Sequence, residues 1–104
     1  MNNVPTSDFF TYYANNVSML MSYFDLAILF GEVERSENGE LTVMQRMRVL
    51  MTPSHAKIFS WVLMHQVREW EKRFGDIVVP PDAVPPEIIE MFRESQEEHE
   101  SKEH

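Results

Sequence analysis

The sequence predicts an α+β fold, in which a three-stranded antiparallel β-meander is followed by one long α-helix. Up to Met51, runs of alternating, β-branched and aromatic side chains are typical of strands, and Asn38-Gly39 interrupts them. From Thr52 the apolar spacing becomes that of a helix and stays so until Phe74-Gly75. The order of the elements follows, because the strand pattern ends where the helix pattern begins.

Two strands are predicted before the first turn. The polar N-terminus carries one aromatic pair, Phe9 and Phe10, so we expect an arm whose order depends on docking those rings. Residues 12–21 alternate and are rich in β-formers, and residues 26–30 form an apolar run. Residues 22–25 can turn, so the pattern indicates two strands or one long strand with a kink.

A hairpin and a third strand come next. Asn38-Gly39 supplies the positive φ values that a tight hairpin demands, and the strand is predicted from Leu41 to Met51. Strict alternation places Leu41 and Val43 on the side of Met47, and it places four other residues together on the opposite side, namely Met44, Arg46, Arg48 and Leu50. Met44 and Leu50 would be exposed there unless another subunit, the arm or the tail covers them.

The long helix is predicted from Pro53 to Phe74. Thr52 suits the N-cap, Pro53 suits the first helical position, and Gly75 suits the end. A stripe of apolar residues repeats at helical spacing, namely Ala56, Phe59, Leu63, Val67, Trp70 and Phe74. A helix of this length, roughly 33 Å, matches a strand of ten residues, so it can cover the apolar face of the sheet.

A second apolar set on the helix exceeds what one sheet face can cover. Ile58, Trp61 and Val62, together with His65, widen the apolar arc of the first turns. We therefore expect another surface to pack there. Together with the two strand residues, the predicted interface consists of Met44, Leu50, Ile58, Trp61, Val62 and His65.

The domain organisation changes near residue 80. We assign residues 1–80 to a single α+β domain with an N-terminal arm, a size that fits one thin core. Residues 81–104 are assigned to a proline-rich connector, a short helix over residues 87–93 opened by Pro86, and an acidic disordered tail. Of the formal charge of −8, the first segment carries −2 and the second −6, so the acidity belongs mostly to the tail.

Composition excludes several classes of protein. No apolar run approaches the roughly 20 residues needed to cross a bilayer, so we expect no membrane partner. The first eight residues lack the basic and apolar regions of a secretory signal, and cysteine is absent, so we expect a cytoplasmic location. The acidic field repels phosphate backbones, which argues against nucleic acid as the partner.

Catalytic and metal-binding patterns do not emerge from the sequence. His65 and Glu69 stand four apart on the helix, as metal ligands often do, but a zinc site needs a third protein ligand. The sequence also does not indicate a nucleophile, a base and an oxyanion-stabilising group that would lie together in one site. We therefore expect no enzyme activity, no catalytic or metal-binding residue and no cofactor.

Four short motifs together resemble one family. They are Tyr13-Ala14-Asn15-Asn16-Val17, Phe30-Gly31, the junction from Arg48 to Lys57 with Pro53 and His55, and Phe74-Gly75 with Ile77. Over residues 12–80 the chain is similar to the small bacterial and archaeal proteins of domain-of-unknown-function family 3467. This resemblance implies a fold pattern and no activity.

The functional prediction is a non-enzymatic, homo-oligomeric protein-interaction module, a dimer or tetramer, because apolar residues outnumber what one intramolecular face can hide. One alternative is a chaperone or adaptor that binds apolar polypeptide segments on its methionine-rich face and resembles the export chaperone SecB in architecture. Another is a small regulator that contacts nucleic acid through Arg46 and Arg48, as a β-ribbon does.

Overall fold

The computed structural model describes the backbone of residues 1–103 and the side chains of residues 1–98. Its elements, in order, are β1 (Asn16–Met21), β2 (Leu26–Arg35), β3 (Leu41–Met51), α1 (Pro53–Phe74), a 3₁₀ turn (Pro81–Ala83) and α2 (Pro86–Glu103). The three strands form one antiparallel sheet in the order β1-β2-β3. The predicted α+β class and the meander are confirmed.

Ser22 closes the loop between β1 and β2. Its N–H donates to the carbonyl oxygen of Asp25 at 2.9 Å, and its Oγ accepts from the N–H groups of Phe24 and Asp25, each at 3.2 Å. A serine hydroxyl that accepts from the following residues is a standard way to stabilise a turn. The N-terminal pattern therefore resolves into two strands, and β1 begins at Asn16 rather than at residue 12.

The loop between β2 and β3 lies where Asn38-Gly39 predicts it, but its type differs. The N–H of Gly39 donates to the carbonyl of Ser36 at 3.0 Å, and the N–H of Ser36 donates to the carbonyl of Glu40 at 2.8 Å. Gly39 has a φ of 85°, whereas Asn38 has no positive φ. This is the three-residue hairpin loop, in which a type I turn is followed by a left-handed glycine.

Strand β3 carries a β-bulge at Arg46. Phe30 of β2 lies opposite Met47, and Gly31 lies opposite Gln45, so Arg46 is the extra residue. The bulge brings the β3 backbone close to Gly31, where an added Cβ would lie 2.6 Å from the carbonyl oxygen of Met44. Glycine is therefore required at this position for steric reasons.

The bulge shifts the alternation of side chains in the first half of β3. The register assigns one face of the sheet, here called the Ile28 face, to Val17, Met19, Ile28, Phe30, Met47 and Val49. It assigns the other, here called the Leu29 face, to Ser18, Leu20, Ala27, Leu29, Arg48 and Leu50. Met44 lies opposite Glu32 on the Ile28 face, so the prediction that it shares a side with Arg48 and Leu50 is wrong.

The core is centred on β2. Ala27, Ile28 and Leu29 are 7%, 3% and 6% exposed, and they are the apolar residues described as buried. They belong to both faces of the sheet and lie between β1 and β3. The middle of the central strand is therefore covered on both faces.

Helix α1 has the predicted bounds and ends. The N–H of His55 donates to Oγ1 of the N-cap Thr52 at 3.2 Å, and the N–H of Gly75, whose φ is 101°, donates to the carbonyl of Glu71 at 2.9 Å. Along the whole of this fully described helix, no residue is buried. The sequence predicts that α1 can cover the apolar face of the sheet, but every residue of the helix is partly accessible to solvent.

The chain forms two compact units, Met1–Met64 and the part from His65 onwards, so the division falls within α1. The domain boundary after residue 80 stays a prediction. The second helix is confirmed and is longer than predicted, since it continues ten residues past Arg93 to Glu103. Glutamate, glutamine and lysine are strong helix formers, so a segment that is too polar for a core can still be helical.

Candidate functional site

An apolar groove lies on the Ile28 face within the first unit. Its larger recess, of about 410 Å³, is lined by the segment Ala14–Asn16 and by side chains of β1, β2 and α1, namely Val17, Met19, Ile28, Phe30, Phe59 and Leu63. Phe59 and Leu63 belong to the predicted apolar stripe of the helix. The first part of that stripe therefore faces the sheet, and the space between them is wide enough to leave Leu63 52% exposed.

A second recess, of about 330 Å³, continues the groove towards the N-terminal arm. It shares Phe30 with the first recess, and Phe10 and Tyr12 of the arm line it together with Met47. The rings of Phe10 and Tyr12 are 6.1 Å apart. Phe10 is nevertheless 65% exposed, so the expected docking of the aromatic pair is only partial.

The first residues of the arm form a small exposed turn. The hydroxyl of Thr6 donates to the carboxylate of Asp8 at 2.6 Å, and this hydrogen bond lowers the pKa of the Asp8 carboxyl below its ordinary value of 3.8. The N–H of Phe9 donates to the carbonyl of Thr6 at 3.2 Å. These contacts are local, and they do not fix the arm to the sheet.

Asn15 joins the arm to the sheet. Its N–H donates to the carbonyl of Gly31 at 3.1 Å, and its side-chain Oδ1 accepts from the N–H of Val33 at 2.8 Å. An amide side chain thus satisfies a backbone donor at the point where β1 begins. Sequence reasoning missed this role, although Asn15 and Gly31 both lie in motifs that carried the resemblance.

Arg46 reaches the edge of the groove because of the bulge. Its Nε lies 3.9 Å from Oε1 of Glu32, and its Nη2 lies 3.6 Å from Oε1 of Glu34. Arg48 lies on the Leu29 face, opposite Leu29. The interpretation that Arg46 and Arg48 project from one face, on which the nucleic-acid alternative depended, is therefore wrong.

The two predicted interface residues of β3 lie on opposite faces of the sheet. Met44 is 39% exposed on the Ile28 face, beside the charged pairs that Arg46 makes with Glu32 and Glu34. Leu50 is 60% exposed on the Leu29 face, opposite Ala27. One flat partner surface cannot contact both.

Three of the helix residues form a continuous exposed stripe. Ile58, Trp61 and Val62 are 49%, 62% and 55% exposed, and their spacing of three and four places them side by side. We call them the outer helix stripe, because at 100° per residue they lie about 130° around the axis from Phe59 and Leu63. Nζ of Lys57 lies 5.6 Å from the Trp61 ring.

His65 belongs to the second unit and is exposed. It lines a shallow cleft of about 320 Å³ with Glu69 and Trp70. The carboxylate of Glu69 pairs with Lys72, 3.1 Å away, as an exposed helical ion pair.

Neither a metal site nor a membrane span is found among the described residues. No three His, Cys, Asp or Glu side chains within this part of the chain are grouped so that they could hold a metal ion. No helix that the structure describes is long and apolar enough to cross a bilayer.

Comparison with known proteins identifies a family. A family model described as "Protein of unknown function (DUF3467)" matches residues 1–79, which is more than half of the chain. No curated protein and no solved structure matches this chain. Asn15, Gly31, Pro53 and Gly75 all lie within the matched range, and the structure gives each a role in backbone geometry.

Proposed function

The chain belongs to the DUF3467 family, as its motifs predicted, and we propose that it acts as a non-enzymatic, homo-oligomeric protein-interaction module. A second copy of the chain covers apolar surface that a single chain leaves accessible to water, and the outer helix stripe is part of what it covers. The observation that carries this proposal is the area of the exposed surface.

The exposed area exceeds what two separate compact bodies need. The chain exposes 10064 Å². Compact bodies with the masses of the two units would together expose about 7,300 Å², so the excess is on the order of 2,700 Å². A standard protein–protein interface takes about 800 Å² from each partner, and obligate dimers take more. The excess, which includes polar as well as apolar surface, is larger than the area that a standard interface takes from one partner.

A second copy is a suitable partner for the outer helix stripe. Ile58, Trp61 and Val62 carry no charge, and tryptophan is among the residue types enriched at the positions that dominate interface energies. Residues 1–80 carry a net charge of only −2, so copies of this segment meet without strong repulsion. A stripe at spacings of three and four also packs well against its own copy across a two-fold axis.

The test is the assembly mass of wild type and of Trp61→Glu, measured by light scattering after gel filtration at micromolar concentration. Wild type is expected at a multiple of 12.3 kDa, and Trp61→Glu at no more than half of the wild-type mass. The matched control is Ser60→Glu, which adds the same charge to an exposed position of the same helix, outside the stripe. It is expected to keep the wild-type mass.

Two results would contradict the proposal. A wild-type mass of 12.3 kDa throughout the micromolar range would remove the homo-oligomer. An unchanged mass for Trp61→Glu, with a wild-type circular dichroism spectrum, would exclude the outer helix stripe as an interface.

The groove supports a second candidate function, the binding of extended apolar segments of other proteins. Its lining includes Met19 and Met47, whose flexible side chains adapt to varied partners. Suppression of the aggregation of an unfolded client by wild type, and its loss in Met47→Glu, would support this role. An unaltered aggregation rate at a tenfold excess of the protein would contradict it.

A further inference from the structure

The two edges of the sheet differ in how well they resist the addition of another strand. The free edge of β3 carries Arg46, Arg48 and the bulge, and charge and bulges are both features that prevent edge-to-edge pairing. The edge strand β1, Asn-Val-Ser-Met-Leu-Met, has no charge, no proline and no bulge in its register with β2. Among the described strands, β1 pairs with β2 alone. The β1 edge is therefore open and unprotected.

The hydrogen-bonding pattern shows which backbone groups β1 presents at this edge. The N–H of Ser22 donates to the carbonyl of Asp25, so this pair is hydrogen-bonded across the hairpin. Hydrogen-bonded pairs recur at every second residue of an antiparallel ladder, so Ser18 and Leu20 bond towards β2. The N–H and C=O groups of Val17, Met19 and Met21 therefore point to the open edge.

We propose that β1 pairs antiparallel with β1 of a second copy, with the two-fold axis at Met19, so that the two sheets become one. The inference rests on the proposed homo-oligomer and specifies one of its interfaces. Met19 lies opposite Met19 of the second copy, and Val17 lies opposite Met21 of the second copy. With the symmetry-related pair, Met21 opposite Val17 of the second copy, three hydrogen-bonded pairs form and exchange about six backbone hydrogen bonds, two for each pair.

Symmetry and charge favour a second copy as the occupant of this edge. A two-fold axis perpendicular to the sheet puts the Ile28 faces of both copies on the same side, so the side chains of Val17, Met19 and Met21 pack against their counterparts. These side chains are 56%, 57% and 86% exposed in the single chain. The equivalent pairing of β3 with itself would bring arginines of the two copies together, which is unfavourable.

A single-cysteine experiment tests this geometry, because the chain contains no cysteine. Met19→Cys puts the two thiols on residues whose Cα atoms are about 5.5 Å apart in a hydrogen-bonded pair, a separation within the range of a disulfide. Mild oxidation by oxidised glutathione should give a covalent dimer. The matched control is Met21→Cys, whose two copies lie four residues out of register, about 13 Å apart, and should stay uncrosslinked.

Hydrogen exchange on the unmodified protein gives a second readout. The amides of Val17 and Met19 should exchange at least tenfold more slowly in the assembled protein than at concentrations where it dissociates. A cross-link in Met19→Cys but not in Met21→Cys, with this protection, supports the proposal.

The outcomes also separate this inference from the homo-oligomer itself. An oligomeric wild type with no cross-link in Met19→Cys and no protection of these amides overturns the pairing of β1 and leaves the homo-oligomer standing. A wild type that is monomeric at all concentrations overturns both. Because Met19 is 57% exposed, the cysteine variant is expected to fold as wild type does.

Discussion

Strand β2 and helix α1 are both rich in apolar residues, yet they differ in how much of that surface their own chain buries. Ala27, Ile28 and Leu29 of β2 are at most 7% exposed. Along α1 no residue is buried, and Trp61 of that helix is 62% exposed. The strand is covered within the chain, whereas the helix is not.

The difference has a topological cause. Two short hairpin loops bring β1 and β3 to either side of β2, so the middle of this strand gains neighbours that are close in sequence. Helix α1 follows β3 after a single residue, and Phe59 and Leu63 of its first turns line the groove beside the sheet. Apolar periodicity indicates that a face needs a partner, but it does not say which chain supplies the partner.

The largest effect is expected from shortening the best-buried side chain of β2. Ile28→Ala removes apolar contacts where the side chain is 3% exposed, and it should lower the free energy of unfolding by about 3 kcal/mol in urea denaturation. Val33→Ala in the same strand is the control, because Val33 is 37% exposed and should cost about 1 kcal/mol or less. Equal costs for the two would show that β2 has no distinct core.

A slightly smaller effect is expected from closing the gap between β2 and the bulge. Gly31→Ala places a Cβ 2.6 Å from a backbone oxygen of Met44, which cannot move without displacing β3. We expect a loss of about 2 kcal/mol in the same measurement, within the range typical of overpacking. Gly39→Ala is the comparison. Its added Cβ meets no atom within 4 Å, so only the φ of 85° at this position lowers the free energy of unfolding, by about 1 kcal/mol. A larger loss for Gly39→Ala would argue against the close approach at the bulge.

The next effect is at the start of α1. Thr52→Ala removes the oxygen that accepts from the N–H of His55 and should cost about 1 kcal/mol. Thr52→Ser keeps an N-cap oxygen and should recover most of that loss. If serine and alanine were equally destabilising, the methyl group of Thr52 rather than its hydroxyl would be what matters. The free energies come from chemical denaturation followed by far-UV circular dichroism.

The smallest effect is expected from the exposed helix surface of the single chain. Trp61→Ser should change the free energy of unfolding by no more than about 0.5 kcal/mol when the protein is dilute enough to be monomeric. The loss should grow with protein concentration, because assembly adds to apparent stability by mass action. A loss near 3 kcal/mol at every concentration would place Trp61 in the same class as Ile28 and remove the contrast between helix and strand.

The elements that carry local signals were predictable from the sequence. The bounds of β3 and α1 match, because Thr52-Pro53 and Gly75 mark the ends of the helix through residue types that suit only those positions. The bulge at Arg46 was not predictable, because it depends on how β3 pairs with β2 near Gly31. The predicted side of Met44 was wrong for this reason alone.

The candidate surfaces also differ in whether local sequence predicts them. The exposure of Ile58, Trp61 and Val62 follows from spacing on one helix, and the structure places them together. The groove brings the arm, two strands and α1 together, and no single segment of sequence carries the signal for it. Asn15 likewise acts on Val33, a residue that is distant in sequence.

The bulge also changes which odd and even positions of β3 lie on the same face of the sheet. Side chains of a strand alternate between the two faces of the sheet, and the additional residue interrupts this alternation once. Residues 41–45 and residues 47–51 therefore follow opposite odd–even rules for the face on which they lie. Leu41 and Val43 therefore point the same way as Leu50, although parity alone would separate them. Deleting Arg46 would remove the bulge and leave residues 41–45 on the faces that they occupy now, because Gln45 already lies opposite Gly31 and Met47 opposite Phe30.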